Sequence, residues 1–158
     1  MVNVESLVGS VALRLARDRQ PEDERKAAMP APDAPLTGAP LLAAVTDAMV
    51  ELHQRYHHRA PANAKSLFLG DDLLACVLGG VYTDVEKTLI ELQRTPIVQE
   101  TRSVFQRAMQ QRFITTVEDL SGRAVLAFIS NHHVGPDIEI ELFVLGPERG
   151  RAAPGESG

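Results

Sequence analysis

Four histidines are the residues whose type and spacing could do chemistry in this chain. His53 and His57 are four positions apart in a segment with helical periodicity, while His132 and His133 are adjacent near the C-terminal end. Two imidazoles at i and i+4 on a helix can bind one metal ion, and a third ligand can come from elsewhere. No carboxylate completes a familiar metal pattern here. We therefore predict no metal site, and keep a metal-dependent hydrolase using His53, His57 and His132 or His133 as an alternative function.

The stretch TDVE at residues 83–86 raises the question of a catalytic carboxylate. Thr83 followed three residues later by Glu86 is typical of a capping box, in which the two side chains satisfy backbone N–H groups at a helix start. A catalytic Glu86 would need a partner or a desolvated cleft, and the sequence identifies neither. We interpret Thr83 and Glu86 as the structural start of a helix.

The remaining reactive side chains favour no nucleophilic mechanism. Cys76 is the single cysteine and lies in the apolar run 73–78, so it can form no internal disulfide and burial should raise the pKa of its thiol. No serine occupies a Gly-x-Ser-x-Gly elbow. Arg102, Arg107 and Arg112 recur along a helical segment, which predicts a solvated face or, alternatively, a contact with an acidic partner. We predict that the protein is not an enzyme and needs no cofactor.

Helices and hairpins must position these side chains. A first helix over about 39–58 is predicted by a regular apolar stripe, formed by Leu42, Val45, Met49, Leu52 and Tyr56. Residues 63–80 predict a hairpin that turns at 70–72. A second helix over 83–92 follows, and Pro96 fits the first turn of a long third helix that Gly122 ends in a left-handed conformation.

The last two apolar segments, 123–130 and 137–145, predict a second hairpin. In the second of them, Glu139 and Glu141 alternate with apolar residues, so we expect the glutamates on a solvent face and the apolar set in the core, namely Ile138, Ile140, Leu142 and Val144. The order α-β-β-α-α-β-β predicts an α+β fold, with two β-hairpins forming an antiparallel four-stranded sheet and helices packed on one face.

Length and composition set limits on organisation and partners. Of 158 residues, 16 are basic and 21 acidic, and only 4% are aromatic, which argues against a nucleic-acid-binding surface. No apolar run reaches about 18 residues and no secretory signal is recognisable, so we predict a cytoplasmic protein without a transmembrane segment. We expect a largely disordered N-terminal extension and Pro/Ala-rich linker at 1–39 (with a short helix in 1–20), one folded domain at 40–146 and a disordered tail at 147–158.

From about residue 42 to 145 the chain resembles the MpsC family of small bacterial proteins. The resemblance is carried by the first helix, LLAAVTDAMVELHQRY, the first hairpin, KSLFLGDDLLACVLGG, and LSGRAV entering the third strand. It is also carried by Thr83, Glu86, Arg102 with Phe105, and the terminal residues FVL. Family members tend to have a glycine-rich connection before the first strand, where this chain has HHRAPANAK.

The resemblance implies an accessory protein of a sodium-translocating, membrane-potential-generating system related to inorganic-carbon uptake. It implies no catalytic residues, and Thr83, Glu86, Arg102 and Gly122 are structural landmarks only. We expect a non-enzymatic regulatory protein that acts by protein contacts, forms a homodimer and reaches the membrane through a transporter subunit. A homodimer would cover the apolar run 73–78 and the stripe of the first helix. A small-ligand sensor with a pocket between the long helix and the sheet is a second alternative.

Overall fold

The computed structural model describes residues 32–148, which form three helices and four strands. The helices are α1 (Gly38–His57), α2 (Asp84–Glu91) and α3 (Thr95–Ser121), and the strands are β1 (Asn63–Leu69), β2 (Leu73–Gly79), β3 (Val125–His133) and β4 (Ile138–Leu145). The predicted helix within 1–20, the linker up to residue 31 and the tail beyond residue 148 lie outside this range. Within it, no helix has both the length and the apolar character needed to cross a membrane.

The described residues divide into two compact units. A sheet unit contains residues 32–81 and 112–148, and a helical unit contains residues 82–111. All four strands belong to the sheet unit and pair antiparallel in the order β1-β2-β4-β3, so β2 and β4 are central and β1 and β3 are the edges. The predicted α+β class, element order and antiparallel four-stranded sheet are therefore confirmed.

Helices of the sheet unit pack on one face of the sheet. Helix α1 contacts β1 and β2, and its buried residues are Leu41, Val45, Ala48, Met49 and His53. From α3, the ring of Phe113 stacks on Phe128 of β3 at 5.9 Å, and Phe128 in turn contacts Phe143 of β4. Of the predicted stripe, Val45 and Met49 are buried, and Leu42, Leu52 and Tyr56 are half-buried. The centre of the stripe is therefore not available for docking a partner, contrary to the expectation from the sequence.

Strand β4 has the opposite facing from the one that its alternation predicted. Glu139 is 3% exposed and Glu141 is fully buried on the helix-covered face, while Ile140 is 41% exposed on the other face. In the register Glu141 pairs with Cys76 of β2, which is fully buried on the same face of the sheet. Ile138, Ile140, Leu142 and Val144 therefore point to the face opposite α1, while Phe143 and Leu145 are buried on the same face as the glutamates.

The predicted element boundaries need one correction, in the second hairpin. Strand β3 extends to His133, so Asn131, His132 and His133 belong to the strand and not to the connection. The polar residues of this edge strand hid its continuation, because they lack the apolar alternation that marks a half-buried strand. The remaining turn, residues 134–137, contains a cis peptide bond before Pro136.

The helical unit begins with the predicted capping box. Thr83 precedes α2 in extended conformation, its hydroxyl accepts from the N–H of Glu86, and the Glu86 carboxylate accepts from the N–H of Thr83 at 2.7 Å. Past α2, the chain turns through Gln93, whose φ of 61° is left-handed, into α3 at Thr95. At the other end of α3, Gly122 has a φ of 65° and its N–H donates to the carbonyl of Glu118, which confirms the predicted left-handed stop.

Candidate functional site

The structure pairs two of the four histidines. His53 and His57 have ring centroids 4.5 Å apart, as their i, i+4 spacing predicted. His53 is a buried core residue only 3% exposed, and its Nδ1 lies 2.9 Å from the carbonyl oxygen of Arg59. The sequence had placed it beside the apolar stripe, but the buried face of α1 is rotated toward Leu41, Ala48 and His53.

The other two histidines lie on β3, with side chains on opposite faces of the sheet. His132 is opposite Glu139 in the register, and Nδ1 of the exposed His133 lies 3.1 Å from the carbonyl oxygen of Pro136. Among residues 32–148, no group of three or more His, Cys, Asp or Glu side chains is arranged to hold a metal ion. The hydrolase alternative therefore has no supporting geometry in this part of the chain.

A row of small polar side chains crosses the whole buried face of the sheet. Ser66 of β1 pairs with Cys76 of β2, Cys76 pairs with Glu141 of β4, and Glu141 pairs with Ser130 of β3. Thr46 of α1 joins the row from above, because its hydroxyl hydrogen-bonds that of Ser66 at 2.8 Å. We call these five residues the polar row; the neighbouring row, Phe68, Leu74, Phe143 and Phe128, is entirely apolar.

Glu141 is the one ionisable carboxyl in the polar row. Ser130 donates to its Oε1 at 3.0 Å, while no N–H or hydroxyl of the described chain donates to Oε2. Burial raises the pKa of Glu141 well above its usual value, and the charge and hydrogen bond of the Glu139 carboxyl raise it further against the smaller effect of Ser130. The Glu141 carboxyl therefore keeps its proton to a higher pH than an exposed glutamate does.

Cys76 is placed as the sequence predicted. It is fully buried, and burial raises the pKa of its thiol to about 11, with smaller contributions from a hydrogen bond to Ser66 and from the charges of Glu141 and Glu139. The thiolate is the nucleophilic form of cysteine, so a protonated thiol with no solvent access has no nucleophilic role. Cys76 is a small core side chain in the polar row.

Arg102 completes the capping box of the helical unit. Its Nε donates to Glu86 Oε1 at 2.8 Å and its Nη2 to Oε2 at 3.0 Å, and its guanidinium lies 4.5 Å from the ring centre of Tyr82. Burial raises the pKa of Glu86, but Arg102 and Thr83 outweigh it and hold that pKa below its usual value. The prediction of one solvated arginine face is wrong for this residue, because Arg102 is only 1% exposed.

The second face of the sheet is apolar and uncovered by α1 or by residues 112–121. Ile129 is 56% exposed, Leu69 50% and Ile140 41%, while Leu67, Leu73, Val77, Leu142 and Val144 are half-buried and Ala75, at the centre of this face, is buried. We call this surface the open face; it consists of Leu67, Leu69, Leu73, Val77, Ile129, Ile140, Leu142 and Val144. Lys65 of the edge strand β1 lies on the open face as well.

A cavity of about 840 Å³ lies at the other end of the sheet unit. It is bounded by the start of α1, the β1–β2 turn and the residues after β4, and its polar lining includes Asp71, Arg123 and Glu148. Arg123 is engaged in structure, because it donates to the carbonyls of Gly146 and Asp71. No lining residue belongs to α3, so the predicted sensor pocket between the long helix and the sheet finds no counterpart in this cavity.

The polar row and the open face were both missed by sequence reasoning. One signal was available, since Ser66, Cys76 and Ser130 are small polar residues that fall on the same face of their strands as Glu141. Predicting the polar row requires the strand order and the register, because its strand residues are up to 75 positions apart in the sequence and become neighbours only in the folded sheet.

One comparison identifies the family. The model of the protein family described as "Na+-translocating membrane potential-generating system (MpsC)" matches residues 39–146. The chain belongs to the MpsC family. No curated protein and no solved structure gives a match.

The MpsC match confirms the resemblance seen in the sequence and spans the three features described above. It runs from the first turn of α1 to the residue after β4, and so contains the capping box, the polar row and the open face. Membership ties the chain to the sodium-translocating, membrane-potential-generating system in the family's description. The MpsC landmarks Thr83, Glu86, Arg102 and Gly122 lie at helix ends and in a buried ion pair.

Proposed function

We propose that this MpsC protein is a non-enzymatic accessory protein of the sodium-translocating system and that it works by protein contact through its open face. The observation that carries the proposal is the facing of β4, which buries two glutamates and presents Ile140 with its apolar neighbours outward. For residues 139–141 this facing is unfavourable in an isolated sheet, because burying a carboxyl is costly and an exposed isoleucine forgoes favourable burial. The apolar side chains of the open face would therefore be stabilised by contact with another protein surface.

The occupant that fits the open face best is a second copy of the chain. Lys65 is its only formally charged residue, so the face offers no charge pattern by which a different partner would be selected. Two identical apolar faces need no such pattern in a two-fold dimer. Four strands of about seven residues give a footprint of about 19 by 24 Å, or about 450 Å² per copy.

This area sets the expected strength of the dimer. Apolar patches of about 300 to 600 Å² are the largest that monomers usually expose and are often functional. Two such faces bury less than the roughly 1,600 Å² of a standard interface, so we expect reversible self-association at micromolar concentration. We further propose a cytoplasmic location, with the membrane transporter subunit engaged by the dimer.

The first experiment measures self-association by light scattering and sedimentation at micromolar concentrations. We expect a reversible dimer for the native protein and at least a tenfold weaker one for Ile140→Glu or Ile129→Glu, because a carboxylate in the contact would be desolvated without a partner. Val85→Glu is the matched control: Val85 is 72% exposed in α2, outside the sheet unit, and the charge change is the same. A strict monomer, or equal loss in the control, would contradict the proposal.

The second experiment tests the association with sodium translocation in the native host. Deleting the gene should lower the sodium-dependent part of the membrane potential, read with a potential-sensitive dye. Complementation with the native gene or Val85→Glu should restore it, and complementation with Ile140→Glu should not. A membrane potential that is unchanged by the deletion in the presence and absence of sodium would count against the functional assignment.

A further inference from the structure

Strand β3 is an edge of the sheet, and the hydrogen bonds of its neighbour β4 show which of its main-chain groups point outward. The N–H of Leu145 donates to the carbonyl of Asp72, which precedes β2. The N–H of the next residue, Gly146, donates to the carbonyl of Ala124, which precedes β3. Main-chain groups alternate between the two sides of a strand, so the even-numbered residues of β4 are the ones that bond β3.

The register then assigns the outer edge of β3. The residues that bond β4 are Ala127, Ile129, Asn131 and His133. Phe128, Ser130 and His132 alternate with them and therefore direct their N–H and C=O groups away from the sheet. The N–H of His132 agrees with this direction, since it donates to the side-chain oxygen of Asn131 at 2.8 Å. Among residues 32–148, no group bonds the outer main-chain N–H or C=O of Phe128 or Ser130.

The two edges of the sheet differ in their protection against pairing with another strand. Soluble proteins protect edge strands with charged side chains, proline or bulges. Strand β1 carries the exposed Lys65 near its middle. Strand β3 has an irregularity only at its start, between Val125 and Ala127, and the following stretch AFISNHH contains no Lys, Arg, Asp, Glu or Pro. The edge formed by residues 127–133 is therefore the one suited to pairing.

A second copy of β3 fits this edge. Because residues 127–133 carry no formal charge, two copies meet without repulsion between like charges. In a two-fold antiparallel pairing centred on Ile129, Phe128 of each copy lies opposite Ser130 of the other, and these opposed residues exchange their outer N–H···O bonds. The two Ile129 side chains, each 56% exposed in the single chain, then lie directly opposite each other on the open face. A cross-strand pair of β-branched side chains is favourable.

We propose that the outer edge of β3 is a second self-association surface, at which β3 pairs with β3 of another copy and joins open-face dimers into a larger assembly. This proposal rests on the proposed function, since edge pairing places two open faces side by side in one continuous sheet. Lys65 opposes the same extension at β1. The smallest closed assembly that uses both contacts is a tetramer. Few hydrogen bonds hold the edge contact, so it forms at higher protein concentration than the open-face dimer.

The test is sedimentation of the full-length protein over a series of concentrations. We expect native dimers to combine into tetramers as the concentration rises. Ser130→Pro removes an outer N–H that the ladder with β4 does not use, so this variant should form dimers and lose the tetramer. Ser130→Ala is the matched control, because it loses the same hydroxyl contact with Glu141 but keeps the N–H, and it should form tetramers as the native protein does.

A cysteine cross-link locates the contact in the same assembly. Ile129→Cys should form a disulfide-linked dimer under mild oxidation, because opposed residues that do not exchange hydrogen bonds have Cα atoms about 4.5 Å apart, within reach of a disulfide. Leu69→Cys is the control: Leu69 is 50% exposed on the same face but lies on β1, and this variant should cross-link far less. The native Cys76 is fully buried and does not compete.

Each result decides the question. A native protein that stays dimeric at every concentration, tetramers that Ser130→Pro retains, or equal cross-linking of the two cysteine variants overturns this proposal and leaves the proposed function standing. Absence of self-association at every concentration overturns the proposed function and this proposal together. If Ser130→Pro does not fold, as judged by circular dichroism, hydrogen exchange of the native protein takes its place. The amides of Phe128 and Ser130 should then be protected in the tetramer, and unchanged exchange would overturn the edge contact.

Discussion

At the scale of single residues, the side chains that first suggested chemistry make contacts with other residues in the described part of the chain. Glu86 is held by two nitrogens of Arg102 and by Thr83, which fixes it as the centre of a buried ion pair. A bidentate contact of this kind, with the Arg102 side chain almost fully buried, is stronger than a surface salt bridge. The same residues are among the landmarks that carried the family resemblance.

Replacing Thr83 by Ala should lower the free energy of unfolding by about 1 kcal/mol, since the helix start loses its side-chain acceptor. Thr83→Ser keeps the hydroxyl and should stay near the native value. Urea denaturation at neutral pH is the measurement. The folded-state pKa of Glu86 is lowered, so its ion pair with Arg102 is fully formed at neutral pH. The stability that this pair contributes is lost only as the pH falls below the ordinary pKa of glutamate.

That variant also separates structure from function at this site. We expect Thr83→Ala to restore the sodium-dependent membrane potential in the complementation experiment, because Thr83 is not one of the open-face residues and a loss of about 1 kcal/mol should leave the protein folded. A Thr83→Ala protein with native stability but no complementation would reverse the structural assignment and make the capping box a functional site.

At the scale of elements, the C-terminal end of α3 lies so close to Pro35 that only glycine fits at position 122. Gly122 has a left-handed φ of 65°, and a Cβ added there would lie 2.6 Å from Cγ of Pro35. The N–H of Leu36 donates to the carbonyl of Leu120 in the same place. The segment that enters α1 is therefore fastened to the end of α3 within the sheet unit.

Gly122→Ala should destabilise the protein more than Gly70→Ala. Both positions have a left-handed φ, which costs an L-residue about 1 to 2 kcal/mol, but a Cβ at Gly70 would meet nothing within 4 Å. The additional clash with Pro35 should add on the order of 1 kcal/mol to the Gly122 variant. Urea denaturation of the two variants side by side measures the difference, and equal losses would mean that the contact with Pro35 is not maintained.

At the scale of the whole molecule, the charge and the open face favour different behaviour with salt. The chain has a formal net charge of −5, while the open face carries one lysine and no carboxylate. Two copies therefore repel weakly at long range and attract through apolar contact at short range. Association of this kind differs from docking on an oppositely charged partner, which salt weakens.

Raising the salt concentration from about 0.05 to about 0.5 M should leave the self-association unchanged or make it slightly tighter, because screening reduces the repulsion and does not affect apolar burial. Sedimentation at fixed pH is the measurement. A dimer that dissociates steeply with added salt would show that ion pairs hold it together, and would place the contact away from the open face.

Much of the fold could be predicted from the sequence because its signals are local. Helical spacing located α1 and α3, the turn residues 70–72 located the first hairpin, and Thr83, Glu86 and Gly122 located helix ends through backbone hydrogen bonds within a few positions. The buried state of Cys76 was also predictable, since it lies in a continuous apolar run.

The sequence by itself determined the elements, the fold class and the family, because these depend on short-range periodicity and on an ordered set of landmarks. Only the tertiary structure decided which face of β4 is inside. Its alternation defines two faces but not their direction, and the register with β2 and β3 places Glu141 between Cys76 and Ser130. Pairing with β2 and β3 thus outweighs the preference of isoleucine for the core. The same pairing places the open-face residues on one side of β4 and the buried Glu139 and Glu141 on the other.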